Sequence, residues 1–383
     1  GGMCLKYEDL VSSILSGVKV KDHRKRMGLR SYPQSFKGSE LLDFLVSTYK
    51  LPGRQDAVQV FHQLQTSGVF NAVEYETGAI EEGNRLYRFQ AHEVGLWSAL
   101  NVERVWNSEN SRTTSPMQSL KGLDDQFCAL KTAHTDKRGQ VDYLALNSDP
   151  KFPSFTLGVC ALQGIDLCAL DQSTRKAFVI NLYNMLVQHA TAVLGQPTTD
   201  LQRAAFFNGV RYKIGGLTYS LHDLENGILR GNRQPPYHLK QPFAMGDTRS
   251  SSVLPADHRI HFALNCGAMS CPAIKWYTAE NIEEELSLAS IGWVAEDTNV
   301  RIDMPKRILF VSKIMKWFAC DFGKSSIEIA STIRAHAVGD KKAQLEGLLG
   351  SKFRLKYLPY DWSANIAASH TFTDRCYSCF VTQ

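Results

Sequence analysis

Between Ser173 and Ala190 the chain is apolar on nearly every face of a helix, through Ala177, Phe178, Ile180, Leu182, Tyr183, Met185, Leu186 and Ala190. Such a helix lies inside a core, so the fold must close around it. Ser173 is its predicted cap. Asn181 and Asn184 stand three positions apart, on neighbouring faces of that helix. An unpaired buried amide costs about 1–3 kcal/mol, so both must find partners. They either anchor nearby loops or line a site.

The second constraining stretch is His258-Arg259-Ile260-His261-Phe262-Ala263-Leu264-Asn265-Cys266-Gly267-Ala268-Met269-Ser270-Cys271-Pro272. Ile260, Phe262 and Leu264 alternate with more polar neighbours, which predicts a short strand, and Gly267 and Pro272 bracket a turn. Thr278 is the predicted cap of a helix from Ala279 to Leu288. Both thiols therefore fall in a loop held by rigid elements, a common setting for a reactive cysteine. A lone cysteine is more often a small buried hydrophobe, and that bland reading stands beside the catalytic one. Zinc would need paired ligand spacing that Cys266-x4-Cys271 lacks, and a dithiol redox pair is usually Cys-x-x-Cys. Gly215-Gly216 lacks the spacing of a phosphate-binding loop, so no metal and no cofactor is predicted.

The chain has 383 residues, which favours two domains. Its nine cysteines, Cys4, Cys128, Cys160, Cys168, Cys266, Cys271, Cys320, Cys376 and Cys379, are an odd number without framework spacing. They point to reduced thiols and a cytoplasmic setting. No apolar run reaches about eighteen residues and no leader pattern opens the chain, so neither a membrane span nor secretion is predicted. The net charge of +5 is too small to imply nucleic acid by itself. Much of it is local: Lys19, Lys21, Arg24, Lys25, Arg26 and Arg30 face only Asp22. Each such cation adds about 1 kcal/mol of attraction near an anionic lipid surface.

Around this cluster the pattern predicts helices over Tyr7–Leu15, from Leu41 with Ser39 as cap, and from Asp56 to Gly68. Two strands follow, Phe70–Tyr75 and Arg85–Phe89, with Gly78, Gly83 and Asn84 between them. Three helices and a terminal hairpin make a winged helix. Val20-Lys21-Asp22-His23-Arg24, Tyr32-Pro33, Phe36-Lys37-Gly38-Ser39-Glu40-Leu41-Leu42-Asp43-Phe44-Leu45 and Leu86-Tyr87-Arg88-Phe89 resemble the DEP domain. The resemblance implies a targeting module that binds anionic phospholipid or a receptor tail through its basic arm, whose bland reading is a solvated loop. Asp56–Ser67, the helix that would read DNA, has almost no basic residues, so no nucleic acid partner is expected.

The blocks Ala177 to Asn184, Leu224 to Arg230, His261 to Gly267 with Ser270-Cys271-Pro272, Lys316-Trp317-Phe318 with Asp321-Phe322, and Tyr360-Asp361-Trp362 resemble the domain-of-unknown-function family 547. That family has been likened to papain-like and transglutaminase-like folds, in which a cysteine, a histidine and a polar third residue carry out acyl transfer. It often has histidine where Asn226 stands. Members that keep cysteine at the position of Cys266 but not Cys271 favour Cys266 as the essential thiol. Papain-like enzymes carry their nucleophile at the start of the central helix, whereas the corresponding place here, near Asn181, offers none.

The expected architecture is α+β. A winged-helix domain spans residues 5–92, a linker 93–119, a papain-like or transglutaminase-like domain 120–366 and a tail 367–383. The expected function is hydrolysis or transfer at an amide, peptide or thioester bond of a protein or peptide substrate, peripherally at membranes. Cys266 or Cys271 would be the nucleophile, His261 the base, and Asn184, Asn181 or Glu225 its supports. On a regular strand His261 and Cys266 would face opposite sides, so a bulge or turn is required to bring them together. The competing expectation is a non-catalytic signalling adaptor.

Overall fold

The computed structural model describes residues 7–25, 30–66, 69–73, 85–89, 92, 99–102, 115–236 and 238–367. The predicted turn with Gly78, Gly83 and Asn84, the cation Arg26, most of the 93–119 linker and the 368–383 tail lie outside them. The chain forms two units. One holds residues up to Ser115 with Pro153–Ile165 and Tyr212–Thr218; the other holds the remainder.

The first unit orders its elements as α1 (Tyr7–Gly17), β1 (Lys21–Lys25), β2 (Arg30–Lys37), α2 (Gly38–Tyr49), α3 (Arg54–Thr66), β3 (Phe70–Ala72) and β4 (Leu86–Phe89). The strands make one antiparallel sheet in the order β1-β2-β4-β3. Phe36, Phe61, Phe70, Tyr87 and Phe89 fill its core with Ile14, Leu42 and Leu45. Phe36 and Phe89 stack with centroids 4.3 Å apart. Helix α2 begins at Gly38, one residue before the predicted cap Ser39, because the Glu40 carboxylate reaches back to accept the Lys37 N–H at 2.8 Å. Within the same unit Asn101, placed by sequence in the linker, is fully buried. Its amide nitrogen donates to the Lys213 carbonyl at 2.8 Å and its oxygen accepts the Lys213 N–H at 2.8 Å.

In the second unit come α4 (Pro116–Ala133) and α5 (Tyr143–Asn147), then, after the short α6 (Phe152–Gly158), α7 (Gln172–Leu194), the all-apolar helix. The cap of α7 is Asp171 rather than Ser173; its carboxylate accepts the Ser173 and Thr174 N–H groups. Helix α7 is long and apolar enough to cross a membrane, but Lys176 through Ala192 are buried inside the protein, as the core reading expects. Even Lys176 is buried, its ammonium paired with Asp257 at 3.1 Å and Glu283 at 2.8 Å. Helix α8 (Asp200–Gly209) leads to the hairpin of β5 (Arg211–Ile214) and β6 (Leu217–Ser220), of which Tyr212–Thr218 belong to the first unit. Gly215 and Gly216 make its turn with φ of 55° and 80°, the left-handed pair a two-residue hairpin requires.

Farther on, α9 (Ile282–Ala295) precedes β7 (Val300–Asp303) and β8 (Ile308–Ser312). The short helices α10 (Ile314–Trp317) and α11 (Ala319–Phe322), then α12 (Ser326–His336) and α13 (Gly339–Leu349), lead to β9 (Arg354–Leu358). Strand β8 pairs antiparallel with β7 and parallel with β9. The architecture is mixed α/β, with helix dominant in this unit.

Two sequence expectations fail here. Ile260–Leu264 is not a strand; His258–Phe262 is a 3₁₀ turn started by the Asp257 carboxylate, which accepts the Arg259 N–H at 3.0 Å. Ile260, His261 and Phe262 are all buried, so three alternating residues were too few to define a period. Helix α9 starts at Ile282, not Ala279. Glu285 folds back to accept the Thr278 N–H at 2.7 Å and hydroxyl at 2.9 Å, so the carboxylate serves the threonine instead of the threonine capping the helix.

Candidate functional site

The two asparagines of α7 clamp both arms of the thiol loop. Asn184 donates to the Ala263 carbonyl at 3.0 Å and accepts the Asn265 N–H at 2.8 Å. Asn181 does the same for a single residue beyond the loop, donating to the Tyr277 carbonyl at 2.7 Å and accepting its N–H at 3.0 Å. Inside the loop, Asn265 donates to the Pro272 carbonyl and accepts the Gly267 N–H, each at 2.8 Å. Gly267 has φ of 90°, and a Cβ there would sit 3.2 Å from the Gln196 amide. Past β9, a strap holds the outer side of the loop. Met269 donates its N–H to the Ser363 carbonyl at 2.8 Å, and the Ser270 hydroxyl accepts the Asp361 N–H at 2.8 Å.

This folding brings Cys266 and Cys271 together with their sulfurs 3.0 Å apart. Three groups converge on the Cys271 sulfur: the Cys266 N–H, which donates to it at 3.2 Å, and the Cys266 sulfur and Tyr360 hydroxyl, in hydrogen-bond contact at 3.0 and 3.3 Å. The hydrogen bond from Cys266 and, secondarily, that from Tyr360 outweigh burial and bring the Cys271 thiol down to about 7. The same bond, with burial, pushes Cys266 well above the ordinary thiol range. The Cys266 N–H donates to the Cys271 sulfur, so Cys271 is the more acidic thiol of the pair and Cys266 the one that keeps its proton longer. Burial, reinforced by the neighbouring thiols, keeps the Tyr360 phenol protonated.

Both sulfurs line a cavity of about 800 Å³ that also takes in Tyr183, Glu225, His261, Trp317, Phe318, Tyr360 and Trp362. Glu225 sits on a π-helical turn, Asp223–Leu229, opened by reciprocal hydrogen bonds between Ser220 and Asp223. Its carboxyl receives the Tyr183 hydroxyl at 3.2 Å, and burial raises its pKa. His261 faces the same cavity, yet its Nε2 lies 2.8 Å from an Asp321 oxygen, and no hydrogen bond among the described residues joins it to a thiol. Burial depresses the imidazole more than Asp321 raises it, so His261 is neutral and Nε2 carries the proton given to the carboxylate.

Asp321 is gripped in turn by Arg230, at 2.5 Å from Nε and 3.1 Å from Nη2, both side chains at most 4% exposed. Burial works to raise the carboxyl, but the hydrogen bonds from His261 and Arg230 overcome it and hold it well below the usual range. Arg230 also donates to the Asn226 amide oxygen at 2.6 Å, which gives the asparagine in that family position a role without imidazole. His258 goes elsewhere, to His336 at 2.8 Å. The two loop histidines thus diverge from the thiols, and among the described residues no group of three metal-ligating side chains is arranged around a common point.

Sequence alone placed Cys266, Cys271, His261 and Glu225 around this cavity but missed Tyr360, Asp321 and Arg230. Their partners Cys271, His261 and Asp321 lie 89, 60 and 91 residues away along the chain, and no local pattern marks the pairing. Of the basic arm, Lys19, Lys21 and Arg24 are exposed near or on β1, Lys25 and Arg30 pair across the hairpin backbone, and Lys21 lies 3.7 Å from Glu40.

Fold and site together define a protein with a small helix-and-sheet module at its N-terminal side and a larger mixed unit carrying a dithiol cavity. Residues 17–89 match the domain found in Dishevelled, Egl-10, and Pleckstrin, and residues 167–294 match the family described as protein of unknown function, DUF547; the chain carries a DEP domain followed by a DUF547 domain. No curated protein and no solved structure gives a significant match. DEP domains in general bind membrane lipids or receptor tails, which supports a signalling and membrane-associated setting. The DUF547 match contains α7, the π turn and the thiol loop, whereas Asp321 and Tyr360 come from beyond it.

Proposed function

We propose that this protein is a thiol-dependent hydrolase or acyl transferase acting on an amide, peptide or thioester bond, brought to its substrate by the DEP domain. The observation that carries the reading is the convergence of the Cys266 N–H, the Cys266 sulfur and the Tyr360 hydroxyl on the Cys271 sulfur at the wall of a ligand-sized cavity. The Cys271 thiolate attacks the carbonyl carbon and forms the C–S bond. The bond to the leaving group then breaks, and the departing atom takes the proton that Cys266 holds. Water or a second nucleophile releases the acyl group, with neutral His261 as base and Asp321 in the orienting place first expected of Asn184 or Glu225. Asn181 and Asn184 position the loop. A papain-like or transglutaminase-like ancestry suits this chemistry, with the nucleophile moved from the central helix to the loop that helix clamps. The basic arm, Lys19, Lys21, Arg24, Lys25, Arg26 and Arg30, supplies attraction to anionic phospholipid or an acidic receptor tail, at the cytoplasmic face of a membrane.

The second reading is a non-catalytic adaptor whose cavity binds a partner protein; the commitment of His261 to Asp321 rather than to a thiol favours it. Iodoacetamide at pH 7 separates the two. The enzyme reading expects Cys271 to be carboxamidomethylated faster than a free cysteine, as followed by peptide mapping. If neither Cys266 nor Cys271 exceeds that rate and a Cys271→Ala chain keeps its cellular activity, the adaptor reading takes its place.

A further inference from the structure

Cys271 belongs to two cavities at once. Besides the aromatic one, it lines a second of about 600 Å³ on the other side of the thiol loop, floored by Phe262 and Trp293 and rimmed by Lys275, Glu296, Asn299 and Asp361. Either volume alone suits a ligand of moderate size. Pro272 lines both as well, so the two cavities meet at the reactive residue, with room for a substrate in either direction from it.

The two walls differ in chemistry. Trp317, Tyr360 and Trp362 form a contiguous aromatic shelf on the first side, with Tyr360 and Trp362 centroids 4.7 Å apart and Trp317 within 5.6 Å of both. The second side mixes one cation, two carboxylates and an amide over an apolar floor. A nucleic acid would meet two carboxylates there, and an acyl chain would leave the charged rim without partners. A polypeptide offers an amide every few ångströms, a polar backbone and side chains of either sign, and so matches both walls.

Resting on the proposed thiol chemistry, we infer that the substrate is an extended polypeptide attacked at an internal amide, with a bulky aromatic or apolar residue on the Trp317–Tyr360–Trp362 side and a polar segment in the Lys275–Glu296–Asp361 cavity. The cleaved C–N bond lies over Cys271: the C–S bond forms, the nitrogen leaves with one proton, and water later restores the thiol and yields the acid. Such a site binds on both sides of the bond and so disfavours small terminal esters and thioesters.

Gly292 of α9 lines the second cavity, and a Cβ added there meets nothing within 4 Å, so a side chain can fill the space without a clash. The test uses the full chain and three thiol probes: iodoacetamide, an epoxysuccinyl electrophile with a phenylalanine dipeptide on one side, and the same electrophile with a polar dipeptide added on the other. The two-sided probe is expected to alkylate Cys271 about tenfold faster than the one-sided one, a gain of about 1.4 kcal/mol. Gly292→Trp should abolish that advantage while leaving the iodoacetamide rate unchanged; Trp317→Ala should slow both peptide probes. Should the tryptophan upset folding, Gly292→Leu serves, with an unchanged iodoacetamide rate as the check. Equal rates for the two peptide probes, or a two-sided advantage that survives filling the cavity, overturns the extended-substrate inference alone. Failure of iodoacetamide to single out Cys271 overturns the nucleophile reading beneath it.

Discussion

Tyr360→Phe removes the phenol's contacts with the Cys271 sulfur at 3.3 Å and the Cys266 sulfur at 3.5 Å, and little else. The ring stays packed between Trp317 and Trp362, at 5.0 and 4.7 Å, and phenylalanine keeps those contacts. The phenol donates to the thiolate more strongly than to the thiol, so losing it must raise the Cys271 pKa from its value of about 7. A hydrogen bond to a charged group contributes about 1.5–3 kcal/mol, and about 1.4 kcal/mol is one pKa unit. The phenol is shared between the two sulfurs at 3.3 and 3.5 Å, which puts the effect at the low end, near one unit. At pH 7 the thiolate fraction then falls from about a half to about a tenth, while the more basic sulfur gains about threefold in intrinsic nucleophilicity. The alkylation rate at pH 7 therefore drops only about twofold, whereas the inflection of its pH profile moves a full unit. The assay is iodoacetamide labelling of the Cys271 peptide from pH 5 to 10, read by mass spectrometry. An inflection that stays where it was would mean that Tyr360 does not hold the thiolate and that the three-contact account of Cys271 is wrong.

Asn184→Leu strips partners from the Ala263 carbonyl and the Asn265 N–H, each worth about 1–3 kcal/mol when buried, so urea unfolding should show a loss of about 2–6 kcal/mol. A loss below about 1 kcal/mol would mean the clamp is dispensable. Asp321→Asn leaves Arg230 buried without its charge partner and should cost about 3–5 kcal/mol at neutral pH. The Asp321 pKa is depressed in the folded state, so its contribution is present above the unfolded carboxyl value of about 4 and is lost as pH falls below it; the variant should flatten the acid limb of a stability–pH curve. An unchanged acid limb would count against the Arg230–Asp321–His261 account. Lys21→Gln with Arg24→Gln neutralises two exposed charges on the β1 side of the arm, and sedimentation with phosphatidylserine vesicles should weaken by about 2 kcal/mol, roughly thirtyfold. Equal pelleting with neutral vesicles would remove the electrostatic basis for recruitment.

Burial of α7 was legible because its apolar residues leave no face for water. That Asn181 and Asn184 must find partners followed from the cost of a buried amide, but that they anchor loops rather than line the site, and which loop they hold, did not. The 3₁₀ turn at His258–Phe262 was misread because three alternating residues can be produced by a turn buried on all sides. The resemblance pattern favoured Cys266 as the working thiol, while hydrogen bonding makes Cys271 the more acidic sulfur. That distinction depends on the loop turning the Cys266 N–H and sulfur onto Cys271 beside a phenol 89 residues away, relations without a local sequence signature.

The double clamp has a consequence for how the site fails. Asn181 and Asn184 are separated by three residues of a rigid helix, about 4.5 Å of axial rise, and each holds a different arm of the thiol loop. The arms cannot separate, nor the loop roll over, without opening amide pairs in the middle of the core. Loops of this sort usually fray at low free energy, well before the domain unfolds. Here the sulfurs share the cooperative unit of α7, so on heating or in urea the distinctive reactivity of Cys271 should vanish in the global transition itself rather than ahead of it.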